Sequence, residues 1–491
     1  MREEVLRVEN LTHRVNGVEV LSHFNLNIFS GEIMGLLPLD SHGKSELVRL
    51  ICENIPVHYG RIYYGGRLVN NHGGRALTRN NVAVIDKERR LVDDLTAADN
   101  IFVLRNGYKK SVINRRTLCR QLEIYAREFS VDLDGEKTIR QMSEFERRAT
   151  ELIRAKVSVA KLLIAEDIGN IISAGDLPRF QDMLRRYTSD GSSVLYICSH
   201  HEEILRICDR VTLMEGGRVI CVMDRDSFNE DIIWRRSLDF TRFNFIPASA
   251  GAAGSALIFD GVTAGKLKDL SFSVGEGECL ALLDLNDSVI DDIMGLISGE
   301  KAPEAGGVFL DGMRPETLAG KPGVVEFIPD EPLKKTLFPE FSYLENLCYP
   351  LGQRKSFIWR GKRFRKSICA DYERFVGRDI YETDISRLSV ESLYKLVYYR
   401  IHLANPRLAV CLQPFFGSDM YLRHTIIEMI KRLLERGITV LIMLTNISDS
   451  LLVADRMLVL RDGRLLREYG HGELGRFADK SYDDEPVQGL H

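Results

Sequence analysis

Short runs of consecutive apolar residues alternate with segments whose apolar positions recur at helical spacing. Residues 31–37, 161–165 and 194–198 are runs of the first kind, which are typical of strands buried on both faces. Residues 46–52 carry apolar side chains at helical spacing, and residues 178–187, which begin with proline, suit a crossover helix because proline fits a first turn. This alternation predicts an α/β fold with a mostly parallel sheet flanked by helices.

The chain also repeats itself. A shift of 246 residues aligns glycines, asparagines, serines and charged pairs over most of the sequence. The aligned positions are Leu21 with Leu267, Gly31-Glu32 with Gly277-Glu278, Gly60 with Gly306, Gly66 with Gly312, Asn100 with Asn346, Ser143 with Ser389, Gly191 with Gly437, Asp209-Arg210 with Asp455-Arg456, and Gly217-Arg218 with Gly463-Arg464. One offset that holds from residue 21 to residue 464 predicts two copies of one domain.

The boundary between the copies falls in a stretch of small residues. Residues 247–256 are rich in Ala, Gly and Ser without a periodic apolar pattern, which suits a flexible linker; a long surface loop within one domain is the alternative. The position at the repeat boundary favours the linker. We therefore predict a first domain at 1–240, a linker at 241–256, a second domain at 257–475 and a C-terminal tail at 476–491.

Composition narrows the class of protein. The 491 residues include 66 Lys and Arg against 70 Asp and Glu, and this net charge of −4 argues against a protein built to coat nucleic acid. Nine scattered cysteines without a C-x-x-C pair indicate thiols in a reducing compartment. The start lacks the apolar core of a signal peptide, and no apolar run reaches the ~20 residues that span a bilayer. These features predict a cytoplasmic protein without a membrane span of its own.

A candidate phosphate-binding loop lies between the predicted strand at 31–37 and the predicted helix at 46–52. The pattern G-x-x-x-x-G-K-[ST] is matched at its last three positions, while Pro38 replaces the first glycine. We expect Lys44 to reach terminal phosphates and Ser45 to bind Mg²⁺ at the helix N-terminus. The predicted nucleotide-binding residues of this loop are Leu39, Asp40, Ser41, His42, Gly43, Lys44 and Ser45. A strand–helix turn that merely contains Gly-Lys-Ser is the alternative.

With these motifs the chain resembles the tandem ATP-binding subunits of ABC-type sugar importers, of the ribose/galactoside kind, from residue 5 to about residue 475. The matching segments are GEI (31–33), GKS (43–45), LTAADNIF (95–102), KLLI (161–164), EILRICDRVT (203–212), GVVEFIP (323–329), SYLEN (342–346), LS (388–389) and ADRMLVLRDG (454–463). The resemblance implies two tandem ABC-type nucleotide-binding domains, each a P-loop NTPase-like core with a helical subdomain, that use ATP and Mg²⁺. It also implies a transmembrane permease subunit as partner, a periplasmic or extracellular sugar-binding protein as an indirect partner, and a peripheral position on the inner face of the membrane.

The family's catalytic positions are altered in the first copy. Where the family has Asp-Glu, with the Asp serving Mg²⁺ and the Glu positioning water, this chain has Glu166-Asp167. The resemblance thus assigns the metal to Glu166 and the water to Asp167, whose shorter side chain falls short by roughly an ångström, a misplacement that costs about 10²-fold in rate. An acidic strand end that caps a helix is the alternative. The catalytic switch histidine maps onto Ser199, or onto His200 after a slip of one residue, and an exposed histidine pair is the alternative there.

The family's signature segment and the second copy depart further. In the first copy Glu144 and Glu146 follow the signature serine, where they repel an incoming phosphate. In the second copy the phosphate loop becomes residues 284–292, with four acids and neither Lys nor Gly, and the two carboxylates become Leu412 and Gln413. Family sites join one copy's phosphate loop to the other copy's signature segment. The nucleotide site that retains the most parts therefore combines Lys44 with the segment of Ser389.

A basic segment, residues 354–366, lies where the family places its permease-facing subdomain and has seven cationic residues and no acid. Contact with anionic lipid or a partner is one interpretation, and a solvated helix face is the other. We predict a sugar-importer-type subunit that binds at most one nucleotide, hydrolyses it weakly or not at all, and docks on a permease. The alternative is a non-hydrolysing regulatory or interaction module. A tandem factor acting on ribosomes is disfavoured, because strong signature motifs and a long charged linker are missing.

Overall fold

The chain forms two compact units in a computed structural model. One unit is Met1–Thr241 with Asp419–Tyr421, and the other is Arg242–Ser418 with Leu422–His491. The structure describes residues 3–70, 80–88, 90–104, 114–227, 254–286, 289–317, 323–352, 362–445, 452–470 and 473. Of the linker predicted at 241–256, only residues 254–256 lie within this described part, and the tail predicted at 476–491 lies outside it.

The first unit contains two sheets. Its strands are β1 (Glu4–Val15), β2 (Val18–Phe29), β3 (Ile33–Pro38), β4 (Tyr59–Tyr64), β5 (Arg67–Leu68), β6 (Val82–Ile85), β7 (Leu162–Glu166), β8 (Ser193–Ile197), β9 (Arg210–Glu215) and β10 (Arg218–Asp224). An antiparallel sheet has the order β2-β1-β4-β5, and a larger sheet has the order β10-β9-β3-β8-β7-β6. In the larger sheet only the edge strand β10 pairs antiparallel, so the predicted mostly parallel sheet is confirmed. The three apolar runs form β3, β7 and β8, which are buried over nearly their whole length.

The second unit repeats this sheet order. Its strands are β11 (Ser255–Ala264), β12 (Leu267–Gly275), β13 (Cys279–Asp284), β14 (Ala305–Leu310), β15 (Val325–Ile328), β16 (Leu408–Leu412), β17 (Thr439–Leu444), β18 (Arg456–Arg461) and β19 (Arg464–Gly470). The larger sheet runs β15-β16-β17-β13-β18-β19, which is the order of the first unit strand for strand, and a smaller sheet runs β12-β11-β14.

Helices flank both larger sheets. Up to residue 227 they are α1 (Lys44–Cys52), α2 (Arg115–Glu128), α3 (Glu144–Val157), α4 (Leu177–Thr188) and α5 (His201–Ile207). From residue 254 onward they are α6 (Ile290–Ser298), α7 (Pro332–Thr336), α8 (Tyr343–Gly352), α9 (Lys362–Val376), α10 (Val390–Ala404) and α11 (Met420–Glu435). The predicted helices at 46–52 and 178–187 are confirmed as α1 and α4, and α4 has its proline in the first turn.

Strand pairing in the two units follows the same shift of 246 residues. In the first unit the paired Cα atoms include Ile33–Val194, Pro38–Met214 and Leu162–Ser193. The corresponding pairs of the second unit are Cys279–Val440, Asp284–Leu460 and Leu408–Thr439. A slip of one residue would exchange the two faces of a strand. The common register therefore means that the two copies bury equivalent side chains.

Polar contacts inside each unit repeat in the same way. Asn100 and Asn346 are fully buried, and each binds the backbone of an earlier turn through both ends of its amide. The salt bridge between Arg210 and Glu32 corresponds to that between Arg456 and Glu278. The hydrogen bond from the Ile33 N–H to Asp209 corresponds to that from the Cys279 N–H to Asp455. These contacts tie sheet strands and loops together in both copies.

The described residues contain no helix that is both long and apolar enough to cross a bilayer. All nine cysteines lie in the described ranges, none is in a disulfide, and five of them are buried. A buried free cysteine packs as a small apolar side chain.

Candidate functional site

The candidate site lies at one edge of the first unit's larger sheet. Strands β3 and β7 both pair in parallel with β8, which lies between them. Their carboxyl ends therefore meet at the same edge, where ligands bind in open α/β sheets. The loop after β3 carries Lys44, and the end of β7 carries Glu166 and Asp167.

Local hydrogen bonds shape the loop before α1. Leu39 is fully buried, and its N–H donates to the Met214 carbonyl. The Asp40 carboxylate accepts from two backbone N–H groups, those of His42 at 3.0 Å and Gly216 at 2.8 Å. An N–H group of the predicted phosphate loop thus already has an anionic partner from within the chain.

Gly43 has a structural requirement of its own. Its φ is 80°, and a Cβ at this position would lie 2.2 Å from the Val20 carbonyl oxygen. Both the left-handed backbone and the close approach exclude other residues without distortion. The glycine of Gly-Lys-Ser is therefore needed for packing whether or not the loop binds phosphate.

Lys44 forms an ion-pair triad with the two predicted acidic residues. Its Nζ lies 2.8 Å from Glu166 Oε1 and 3.0 Å from Asp167 Oδ2. Burial opposes the charge of Lys44, but Asp167 and Glu166 outweigh it, so the pKa of Lys44 lies above its usual value. The interpretation of an acidic strand end that caps a helix is wrong, because Asp167 makes no side-chain capping bond and both carboxylates face Lys44.

Asp167 has an unusual backbone and an unpaired oxygen. Its φ is 50°, which is uncommon outside glycine, and its N–H donates to the Ile197 carbonyl of β8 at 2.8 Å. Oδ2 binds Lys44, whereas the buried Oδ1 has no hydrogen-bond partner among the residues that the structure describes. Because a buried unpaired polar atom is costly, this oxygen points to a ligand, ion or water at the site.

These residues fit ATP with Mg²⁺. Magnesium is commonly held by one or two protein oxygens together with phosphates and water, which suits the predicted ligands Ser45 and Glu166. Ser45 is exposed in the first turn of α1. No group of three or more His, Cys, Asp or Glu side chains among the described residues forms a metal site alone.

The structure contradicts one of the two interpretations of the histidines at 200 and 201, that of an exposed pair. His200 is 4% exposed and Ser199 is 8% exposed, and His201 is half-buried, so the exposed-pair interpretation is wrong. The His200 Nε2 lies 3.4 Å from the Asn170 Oδ1, on the loop that follows Asp167. This geometry brings the His200 ring to the segment that follows Asp167.

A buried acid beneath the site was missed by the sequence reasoning. Glu203 accepts hydrogen bonds from the Tyr196 hydroxyl and, at 3.3 Å, from the Cys198 thiol. Burial raises the pKa of Glu203 above its usual value, and the charge of Asp167 acts in the same direction. The sequence contained a signal for this contact, because alternate residues of a strand, such as Tyr196 and Cys198, lie on one face and can reach the same partner.

The signature segments serve as helix caps. Ser143 accepts from the Glu146 N–H at 3.2 Å, and Ser389 accepts from the Ser392 N–H at 3.1 Å. The expected repulsive charge of the first segment is largely neutralised: Glu146 lies 2.8 Å from Lys137, and Glu144 pairs with two arginines of α3. Repulsion of phosphate is therefore weaker than the sequence suggested.

The second unit holds an internal anion where the first has its loop. Asp284, which corresponds to Pro38, is fully buried and accepts from the Val289 N–H at 2.8 Å and the Asn286 N–H at 3.2 Å. Its carboxylate caps the start of α6. Ile290 corresponds to Lys44 and packs in the apolar core. Gln413 corresponds to Asp167, and its amide donates to the Thr445 hydroxyl at 3.3 Å.

The fold and these motifs define the class. Residues 21–168 match the family model described as ABC transporter. The complete chain also resembles a crystal structure of archaeal ribosome recycling factor aABCE1, with a TM-score of 0.63 at 14% identity over 96% of this chain and 92% of that one. A structure of RNase-L inhibitor gives a TM-score of 0.62 at 15% identity, over 96% and 92%. The chain thus shares the fold of these two structures over nearly its full length.

Curated relatives sharpen the resemblance. A ribose import ATP-binding protein of Streptomyces coelicolor is 26% identical over 95% of this chain and 92% of its own length. An arabinose import ATP-binding protein of Burkholderia cenocepacia is 26% identical over 96% of both chains. A further ribose import protein, from Caldanaerobacter subterraneus, is 22% identical over 96% and 97%. The chain is similar to ATP-binding subunits of sugar importers over nearly its full length, as the motifs indicated.

Proposed function

We propose that this protein is the ATP-binding subunit of a sugar importer, in which only the first unit binds nucleotide and hydrolysis is weak or lost. The import role is supported by the similarity to ribose and arabinose import ATP-binding proteins along almost the whole chain. The same similarity supports a permease as membrane partner, a separate sugar-binding protein and a position at the inner face of the membrane.

The observation that carries the nucleotide assignment is the triad of Lys44, Glu166 and Asp167. A lysine with a raised pKa at the start of a helix supplies a fixed positive charge for phosphate. On binding, ATP would take Lys44 as a partner, and Mg²⁺ would take its place beside Glu166, with Ser45 as a second ligand. Mg²⁺ would thus replace Lys44 as the cation that balances the charge of Glu166 and Asp167.

Weak hydrolysis follows from the state of the water-positioning group. In the proposed site Asp167 has this role, but its side chain is a methylene shorter than glutamate. General bases must lie within hydrogen-bond reach of the water they activate. We expect a loss of about 10²-fold in hydrolysis for a displacement of about an ångström.

A single nucleotide per chain follows from the second unit. The Asp284 carboxylate occupies the helix start that an anion would need, and like charges repel. The corresponding cation and carboxylates are Ile290, Leu412 and Gln413, none of which is charged. The second unit therefore acts as a structural partner for the first.

The test is a titration of purified full-length protein with ATP and Mg²⁺, together with a phosphate-release assay. We expect Lys44→Ala to weaken the Kd by about tenfold or more, since it removes a charge-assisted phosphate contact. The matched control is Lys161→Ala, which removes an exposed lysine at the start of β7 and should leave the Kd unchanged.

Two results would overturn the proposal. Equal affinity of the wild type and Lys44→Ala would exclude the assigned nucleotide site. Steady phosphate release that disappears in Lys44→Ala would show an active ATPase and exclude weak hydrolysis.

A further inference from the structure

Four corresponding positions carry opposite electrostatics in the two units. In the first unit Lys156 lies 3.1 Å from Glu128 and also pairs with Asp190. Arg186 of α4 donates to the Glu128 carbonyl at 3.2 Å. Two cations thus face two anions, and the group is neutral as a whole.

At the shift of 246 residues three of these four residues change type. Both acids become arginines, the lysine becomes a histidine and the arginine is kept. The corresponding residues of the second unit are Arg374 for Glu128, His402 for Lys156, Arg432 for Arg186 and Arg436 for Asp190. The second unit therefore has three guanidinium groups where the first has two ion pairs.

The three arginines converge on one place. Arg436 Nη1 lies 3.4 Å from His402 Nδ1, which also hydrogen-bonds to the Tyr372 hydroxyl at 2.8 Å. Arg374 and Arg432 lie over the same ring, that of Phe375, with centroid distances of 4.5 and 5.2 Å. These cation–π contacts keep both guanidinium groups next to the Phe375 ring without neutralising their charge.

Within the part of the chain that the structure describes, none of the three arginines is in an ion pair. Burial, with Arg436, Arg432 and Arg374 adding to it, lowers the pKa of His402 to about 4, and each charged group in this effect is an arginine. Glu428 and Asp371 act on Tyr399 and Tyr372, whose rings pack against this cluster. The cluster therefore has an uncompensated positive charge.

We propose that Arg374, Arg432 and Arg436 form a binding site for a phosphate-type oxyanion. Guanidinium groups are planar forks that bind phosphate with two parallel hydrogen bonds, and three of them match an anion with more than one negative oxygen. Tyr372 and Phe375 support the arginines from below, since Tyr372 is buried and Phe375 is half-buried. The phosphate belongs either to a free small molecule or to a lipid headgroup.

The experiment uses full-length protein with Lys44→Ala, which removes the cation of the first unit's proposed nucleotide site. Binding of inorganic pyrophosphate is measured by calorimetry. We expect saturable binding that Arg374→Glu weakens by about tenfold or more. Arg464→Glu is the matched control, because it makes the same charge change at an exposed arginine of β19 and should have no effect.

A second variant guards against a folding defect. Arg374→Glu, His402→Lys and Arg436→Asp together rebuild the ion pairs that the first unit already contains. We expect this triple variant to be at least as stable as the parent and to lose pyrophosphate binding. Unchanged binding in both variants would overturn the proposal.

A parallel arm identifies the source of the phosphate. Sedimentation with vesicles of phosphatidylcholine alone is compared with vesicles that also contain phosphatidic acid. Arginine-dependent binding to the acidic vesicles without binding to pyrophosphate would assign the site to lipid, and the reverse to a free phosphate compound. Binding to neither probe would overturn the proposal.

Discussion

The two units have the same skeleton and different chemistry. Their strand order, strand register and buried asparagine contacts repeat at one offset. At that offset the triad around Lys44 becomes Ile290, Leu412 and Gln413, and the loop proline becomes the buried Asp284. The contacts that hold an ABC-type domain together are therefore separable from those that make a nucleotide site.

Even the backbone turn at Asp167 is preserved in the second unit, where the acidic side chain is missing. Asp167 has a φ of 50° and Gln413 a φ of 44°, and the N–H of each donates to the facing strand at 2.8 Å. In the second unit this left-handed turn supports no acid. The turn is thus a property of the fold, and the acid belongs to the first unit's site.

The largest expected effect concerns the skeleton and is the same in both units. Asn100→Ala and Asn346→Ala each remove a fully buried amide and leave backbone N–H and carbonyl groups without partners. We expect each to lower the free energy of unfolding by about 3 kcal/mol or more. Chemical denaturation measures this, and a large loss in one unit without a loss in the other would contradict a shared skeleton.

The next effect separates the units. Asp284→Ala removes the carboxylate that caps α6 from a fully buried position. We expect a loss of about 1–2 kcal/mol in the free energy of unfolding, and a smaller loss for Asp284→Asn, which keeps an acceptor oxygen. If Asp284→Ala were neutral, the internal anion would not stabilise the second unit.

The smallest effect is a pH dependence that Glu203 gives to the first unit. Because burial raises the pKa of Glu203, the folded state holds this proton more tightly than the unfolded state. Its contribution to stability is complete below its usual pKa of 4.5 and is lost as pH rises through the raised folded-state value. The corresponding partners in the second unit are Ile442 and Leu444, which replace Tyr196 and Cys198.

Glu203→Gln should remove this dependence. In that window the free energy of unfolding of the wild type should fall with rising pH by at most about 1.4 kcal/mol per pH unit relative to the variant. Denaturation curves between pH 4 and pH 8 provide the measurement. Parallel pH profiles for the two proteins would contradict a raised Glu203 pKa.

The sequence predicted the fold well because the fold depends on local patterns. Apolar runs, a helical apolar period and the repeat offset were enough to place β3, β7, β8 and α1. The resemblance supplied the two tandem ABC-type domains.

The site was less predictable because its contacts join residues that are far apart in the sequence. Nothing in the spacing shows that Lys44 lies between two carboxylates more than a hundred residues away, or that the side chain of His200 is buried. The role of Asp284 was hidden for a similar reason. In the sequence Asp284 is one of four acids in a segment that opposes phosphate, whereas in the structure its buried carboxylate accepts from the Val289 N–H at the start of α6.

The central claim, one nucleotide site in the first unit, is tested most directly by the binding stoichiometry. Calorimetric titration of the full-length protein with ATP and Mg²⁺ should give at most one nucleotide per chain, with the binding lost in Lys44→Ala and retained in Asp284→Ala. Two nucleotides per chain, or binding that survives Lys44→Ala and disappears in Asp284→Ala, would contradict it.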